Sequence, residues 1–235
     1  SSAATEVDQF KQGPEMWRLQ EKIADCLRGR YSLITYGMSE AAFYLCAYEF
    51  AIKAVNSPWC RLFDGDDAKV MEYASDLREF WKRGHGYDIN RKSSCILVHD
   101  ARTSDLKLQF LSGQQVTEAV TVQVGNADTL LPLLTLLGFF KDSEALTSSN
   151  YATQTHRSFR TSHVLPHAAN LLLVLQPLLN EKPVTFPGLA EQQASMPLYG
   201  DVKEHYRELL HGCDFETECR LFLEMQSSPL KVECT

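Results

Sequence analysis

Asn126 and Asp128 stand where one regular element gives way to another, and residues of these types in that position suit the binding of phosphate. Residues 120–124, Val-Thr-Val-Gln-Val, alternate with period two and are rich in β-branched side chains, which favours a strand. The alternation breaks at Gly125, and apolar residues at helical spacing run from Leu130 to Leu137. Asn126 is a good N-cap. Asp128 falls in the first turn, where exposed N–H groups and the positive end of the helix dipole favour a carboxylate. A helix N-terminus at the carboxyl end of a buried strand is a common seat for phosphate. The plainer reading of the same residues is a capped helix in an α/β core.

Lys82, Arg83, His85, Arg91 and Lys92 form the one concentrated basic stretch, around Gly84-His85-Gly86-Tyr87. Cations and glycine N–H groups together bind anions, so this reads as a phosphate-facing loop; a solvated helix C-terminus would carry the same charges. Asp64, Asp66 and Asp67 invite a calcium reading, but they lack the EF-hand spacing and suit helix capping better. His156, His163 and His167 invite a metal reading. Pro166 interrupts the spacing that a regular helix would need, so no metal or other cofactor is expected.

The elements that must position these groups are mostly helical at first. Residues 14–30 carry proline in the first turn and Met16, Leu19, Ile23 and Leu27 on one face. A second helix, capped at Ser39, is expected to reach about Val55 and to bury Phe43, Cys46 or Ala47, Phe50 and Ala54. A third starts at Asp66 and Asp67 and runs through Val70, Tyr73, Leu77 and Trp81 to Gly84. Residues 103–118 read as a surface connection and 142–155 as a Ser/Thr/Asn-rich loop. A last helix spans about Asp201 to His211, stopped by Gly212. The expected organisation is a helical part over 1–100, a strand-turn-helix and sheet part over 101–212, and a loop and tail over 213–235.

With 235 residues, 44% hydrophobic and 23% charged, the chain can bury a sizeable core. Its net charge of -7 argues against non-specific nucleic-acid binding and leaves any anion site to a local cluster. The longest apolar run, Ala41 to Tyr48, is too short to span a membrane, and no signal-peptide pattern opens the sequence, so a soluble mature chain or a fragment is expected. Seven cysteines include no Cys-x-x-Cys pair, which argues against structural zinc, and their odd number leaves one over. Composition alone modestly favours a reduced cytosolic protein with buried thiols, since free cysteine packs as a small apolar group.

The stretch from Gly125 to Leu134, followed by Gly138-Phe139-Phe140-Lys141-Asp142, resembles the Gly-His-Ala-Glu-Thr-Leu-Leu-Pro-Leu-Leu segment of the multiple inositol polyphosphate phosphatases, a branch of the histidine acid phosphatases. Gly13-Pro14-Glu15-Met16, Ser57-Pro58-Trp59-Cys60, Asp66 to Val70, Trp81 to Gly84, Ser93-Ser94-Cys95, His156 to Arg160 and Leu178 to Lys182 resemble that family too. So does Pro166-His167-Ala168-Ala169-Asn170 ahead of Leu171 to Leu175, which the resemblance makes a strand beside the central one. A family hairpin after Gln176-Pro177 is absent here. The implied fold is α/β and histidine-phosphatase-like, helix-rich, with a partial central sheet that needs an N-terminal half to be complete. The resemblance also implies secretion or a secretory lumen, with Cys60 paired to Cys95 and Cys213 to Cys219.

In that family the motif histidine binds phosphoryl oxygens, the glutamate protonates the leaving alcohol, and the nucleophile is the histidine of an Arg-His-Gly-x-Arg segment. This chain has Asn126 and Asp128 in the first two places and no such segment. The chain therefore resembles the C-terminal half of such a protein. Its expected function is catalytically impaired or absent hydrolysis with retained phosphate or inositol-phosphate binding, using Asp128 and Asn126 with Lys82, Arg83 and His85. The alternatives are one chain of a proteolytically divided, active phosphatase and an extracellular storage, structural or interaction protein. Its expected partners are an N-terminal chain, or further copies of itself, covering the sheet.

Overall fold

A computed structural model describes residues 3–95, 97, 122–173, 177–189 and 199–207. The chain divides into two compact units, one of residues 1–81 and 142–163 and one of residues 82–141 and 164–235. The connection expected over 103–118, together with Cys213, Cys219 and the tail, lies outside the described residues. The described chain is helix-rich with a small three-stranded sheet, the α/β class that the sequence implies.

The first unit contains α1 (Ala3–Lys11), α2 (Pro14–Cys26), α3 (Tyr36–Lys53) and α4 (Gly65–Lys82, of which residue 82 opens the second unit). Pro14 opens α2, and Met16, Leu19 and Ile23 are buried along one face as the spacing predicts. Arg28 adopts a left-handed φ of 51°, so α2 ends earlier than expected and leaves Leu27 exposed. Helix α3 is capped by Thr35, whose side chain accepts from the Met38 N–H at 3.2 Å, and not by Ser39, which is buried inside the helix. Of α3 only Ser39 and Ala42 are buried, while Phe50 is exposed and Ile52 is 79% exposed. The expected burial of Phe50 and Ala54 fails because apolar residues are spread over most of the circumference of this helix, so periodicity singles out no face.

Asp64 Oδ1 accepts from the N–H groups of Asp66 (2.9 Å) and Asp67 (3.0 Å), and the Asp67 carboxylate accepts from the Asp64 N–H at 2.8 Å. This reciprocal box starts α4 and accounts for the acidic trio as caps. Hydrogen bonds to Asp64 and Asp67 push the Lys22 ammonium up to about 12.

Helix α4 buries Val70, Tyr73, Leu77 and Phe80. The returning stretch 142–163 is irregular up to Arg160, where the single helical turn Thr161–Val164 begins, and it is tied to α4 by a buried ionic network. Asp76 is 0% exposed, and its Oδ2 accepts from Arg157 Nε at 2.8 Å and Nη2 at 2.5 Å. Its Oδ1 accepts from the Thr161 N–H (2.8 Å) and hydroxyl (2.6 Å). Arg157 also donates to the Gln154 carbonyl and stacks over the Tyr73 ring at 5.0 Å. Glu72 accepts from Arg160 at 2.7 Å and from the Ser162 hydroxyl. Burial pushes the Asp76 carboxyl up against the bonds from Thr161 and Arg157. At Glu72 burial acts in the same sense, but the bonds from Arg160 and Ser162 outweigh it and hold the group below its ordinary value.

Cys60 is bonded to Cys46, with their Cα atoms 4.8 Å apart. The pairing of Cys60 with Cys95 is thereby corrected: the 3₁₀ turn Pro58–Leu62 packs on α3, so Cys46 is the thiol within reach. Cys95 is disulfide-bonded to a partner outside the described residues, and Cys26 is free and exposed.

The second unit contains α5 (Asp88–Lys92), α6 (Ala127–Leu136), α7 (Tyr199–His205) and strands β1 (Leu171–Leu173), β2 (Pro177–Leu179) and β3 (Lys182–Pro183). Strand β1 pairs antiparallel with β2, Leu171 opposite Leu179, and β2 pairs antiparallel with β3. Residues 122–125 are irregular, with Val124 94% exposed, and none of the described strands lies beside them. The strand expected at 120–124 is thus not formed by its described part, because a lone strand leaves its N–H and C=O groups without a ladder. Helix α6 closes with both Schellman bonds, from Phe139 N–H to the Leu134 carbonyl (3.0 Å) and from Gly138 N–H to the Thr135 carbonyl (3.1 Å). Gly138 has φ +78°, which the motif requires. Beyond it Phe139 packs tilted against Phe186 and Phe186 edge-on against Tyr206, and the Tyr206 hydroxyl donates to the Leu137 carbonyl at 2.8 Å.

Replacing Arg157 by Ala leaves Asp76 buried and unpaired, and is expected to cost about 3–5 kcal/mol in urea unfolding. The folded-state value of Glu72 lies below its unfolded one. Its stabilisation is therefore present above the ordinary value of 4.5 and is lost as pH falls through the folded value. The stability difference between wild type and Glu72→Gln, measured by thermal melts from pH 7 downward, should shrink toward zero below pH 4.5.

Candidate functional site

The chemistry-bearing residues of the second unit gather at the N-terminus of α6. Asn126 is extended, with φ -109° and ψ -175°, and its side-chain oxygen accepts from the Asp128 N–H at 3.1 Å. Its carbonyl accepts from the N–H of Leu130 at 3.1 Å, which starts the helix ladder. The N-cap read from the sequence is therefore the N-cap in the structure. A Cβ at Gly125 would meet the Thr129 side chain at 3.1–3.3 Å, so a larger residue there would require that exposed side chain to shift by a few tenths of an ångström. The Nδ2 group of Asn126 has no partner among the described residues, which leaves it able to donate to an anion.

Arg83 follows the last residue of α4, and its Nη2 lies 2.5 Å from Asp128 Oδ1. The arginine side chain is largely covered and that of Asp128 is mostly exposed. The loop carrying Arg83 is held from both sides. Asn90 of α5 donates to the Gly84 carbonyl at 2.9 Å, and His85 Nε2–H donates to the Phe139 carbonyl at 2.9 Å. Since a carbonyl can only accept, His85 Nε2 carries the proton in this bond, and the ring serves as a clamp.

Arg83 and Asp128 are brought together, with Asn126 at the same helix start. Lys82 ends α4 and is exposed, and His85 is bonded toward the far end of α6. Arg91 pairs with Asp88 at 3.1 Å on its own helix. The basic stretch thus does not converge as a group. Among the described residues no cluster of three or more His, Cys, Asp or Glu side chains is placed to hold a metal ion, and His156, His163 and His167 are exposed. The pairing of Arg83 with Asp128 has no signal in the sequence, because the two residues are far apart and each reads separately as a local feature.

Chemically, this helix start offers an anion the end of a dipole, a neutral amide donor and a neighbouring guanidinium. Asp128 in its ion pair is an acceptor. A general acid must instead hold a proton and face the leaving oxygen.

The sequence profile of the histidine phosphatase superfamily (branch 2) matches residues 20–176, well over half of the chain. The chain belongs to that superfamily. It is 44% identical over 236 residues to multiple inositol polyphosphate phosphatase 1 of Gallus gallus, covering 94% of this chain and 52% of the relative. The protein of the same name from Homo sapiens is 41% identical over 238 residues, covering 94% of this chain and 48% of the relative. The chain spans about half the length of these two relatives. A more distant match, of the same name from Drosophila melanogaster, is 33% identical over 189 residues and covers 75% of this chain and 38% of the relative. In this superfamily member the site stands on an asparagine-capped helix whose first-turn carboxylate is bound to an arginine.

Asn126→Ala removes the cap from α6 and should lower stability by about 1 kcal/mol in urea unfolding, whereas Asn126→Asp should leave it nearly unchanged.

Proposed function

We propose that this superfamily member binds phosphate-bearing ligands of the inositol polyphosphate kind at the N-terminus of α6 and does not hydrolyse them by itself. The ion pair between Arg83 and Asp128, on a helix capped by Asn126, carries this reading. The guanidinium and the helix start attract phosphate. Of the groups that hydrolysis requires in the resembled phosphatases, the charged phosphate donor is replaced by an amide. The proton donor is a shortened carboxylate bound to Arg83. By analogy with a lost oxyanion donor, the first change alone weakens transition-state stabilisation by about 3–4 kcal/mol. The 235 residues also contain no Arg-His-Gly-x-Arg segment to supply a nucleophile.

A second reading, one chain of a divided and active phosphatase, is favoured by the exposure of Val122 and Val124 at the site's own approach. A strand from a partner chain would cover them, and that chain would bring the nucleophile. The Cys46–Cys60 disulfide supports an oxidising compartment, a secreted or secretory-lumen setting, for either reading.

Intact mass with and without reduction, followed by phosphate release from inositol hexakisphosphate, separates the two. The expected result is this chain alone, with calorimetric binding and no release. Arg83→Ala should weaken binding about tenfold, the worth of one charge-assisted hydrogen bond, and Asp128→Asn should strengthen it by removing the competing carboxylate. Phosphate release by the isolated chain would overturn the proposal. A co-purifying fragment that carries an Arg-His-Gly-x-Arg segment, with activity, would establish the second reading.

A further inference from the structure

The first unit contains a cleft of about 430 Å³ built by α1, α2 and the segment leading into α3. Its size falls in the range of about 300–1,000 Å³ usual for small-molecule sites. Asp8, Lys11, Trp17, Gln20, Tyr31 and Tyr36 line it. None of these residues belongs to the helix start of α6.

The aromatic side chains form the apolar part of the lining. Trp17 is 56% exposed and meets Tyr31 edge to face, with centroids 5.5 Å apart and planes at 87°. An exposed indole in a concave wall offers a flat apolar surface at little cost in side-chain entropy. The polar part is held in place from behind. Gln20 is 7% exposed, and its Oε1 accepts from the Tyr31 hydroxyl at 3.3 Å. That bond orients the amide, and its Nε2 donors have no partner among the described residues. Donors on a nearly buried side chain need a polar partner, which an apolar ligand could not provide.

The charges select the ligand further. Asp8 and Lys11 are one helical turn apart on α1 and balance each other, so the cleft has no net attraction for an anion or a cation. Lys11 Nζ sits 4.6 Å from the Tyr36 ring centroid, so that aromatic face already has its cation. A quaternary ammonium would meet a like charge there, and a phosphate would meet the Asp8 carboxylate. A ligand with one apolar face and several hydroxyl groups satisfies all the groups at once. Its C–H face lies on Trp17, and its hydroxyls donate to Asp8 and accept from Gln20 Nε2 and Lys11.

We propose that this cleft binds a neutral polyhydroxylated ring, either a free cyclitol or a hexose residue of a glycan. The test is ligand-observed saturation-transfer NMR on the full chain with three probes: myo-inositol, methyl α-D-mannopyranoside and methyl β-D-glucopyranoside. Choline and inorganic phosphate serve as competitors. At least one probe should show saturable, millimolar binding that neither competitor displaces. Response to myo-inositol alone assigns a free cyclitol, and response to a glycoside assigns a glycan residue. Trp17→Ala, Asp8→Asn and Gln20→Leu should each weaken binding at least tenfold. If Gln20→Leu does not fold, the other two substitutions, at exposed positions, decide the matter with thermal melts as the check of folding. Absence of saturable binding for all three probes overturns the proposal. So does binding unchanged in folded Trp17→Ala and Asp8→Asn, or displacement by choline or phosphate.

Discussion

The first unit depends on one buried ion pair. Asp76 lies on a helix whose inward residues beyond the first turn are otherwise apolar or aromatic, and its carboxylate has no access to water. It is tolerable there because each oxygen receives two donors, all of them from the irregular stretch that returns past α4. That stretch has little regular structure of its own. It is fixed because Asp76 and Glu72 require Arg157, Thr161, Arg160 and Ser162 where they are, and because Leu146 and Phe159 fill the space beside Tyr73 and Phe80. A segment so rich in serine, threonine and asparagine reads as loop and is loop, but it is ordered by charge.

In the second unit the corresponding constraint is helix α6, fixed at both ends by different means. Asn126 satisfies its N-terminus, and the Schellman closure at Gly138 with the Phe139, Phe186 and Tyr206 cluster secures its C-terminus. The loop after α4 is pinned to that C-terminal end by His85 and delivers Arg83 to the N-terminal one. The histidine of the basic stretch therefore holds this loop through a backbone bond. The arginine acts through charge. An arginine held against a carboxylate is a preorganised group that a stronger anion can recruit.

The apolar residues left in water concern the same two units. Helix α3 exposes Tyr48, Phe50 and Ile52, and the approach to α6 exposes Val122 and Val124. Isolated apolar side chains on a surface are ordinary, but a helix this rich in apolar residues that buries only Ser39 and Ala42 has more apolar surface than its own unit covers.

The sequence by itself determined much of the local structure, though not the cap of α3 or the end of α2. The caps at Asn126 and Asp64, the proline start of α2, the inward faces of α2 and α4 and the stop at Gly138 all follow from residues a few positions apart, whose chemistry is set by neighbours in the chain. The superfamily was legible for the same reason, since its motif is contiguous. Tertiary structure alone decided which distant groups meet. Cys46 takes Cys60 because a 3₁₀ turn folds back on α3. Asp128 takes Arg83 because the loop after α4 is clamped to α6. The valines at 122 and 124 do not make a strand, since alternation gives a strand its faces but only a neighbouring chain gives it hydrogen bonds. Pairing is a property of distance in space, and sequence separation does not encode it.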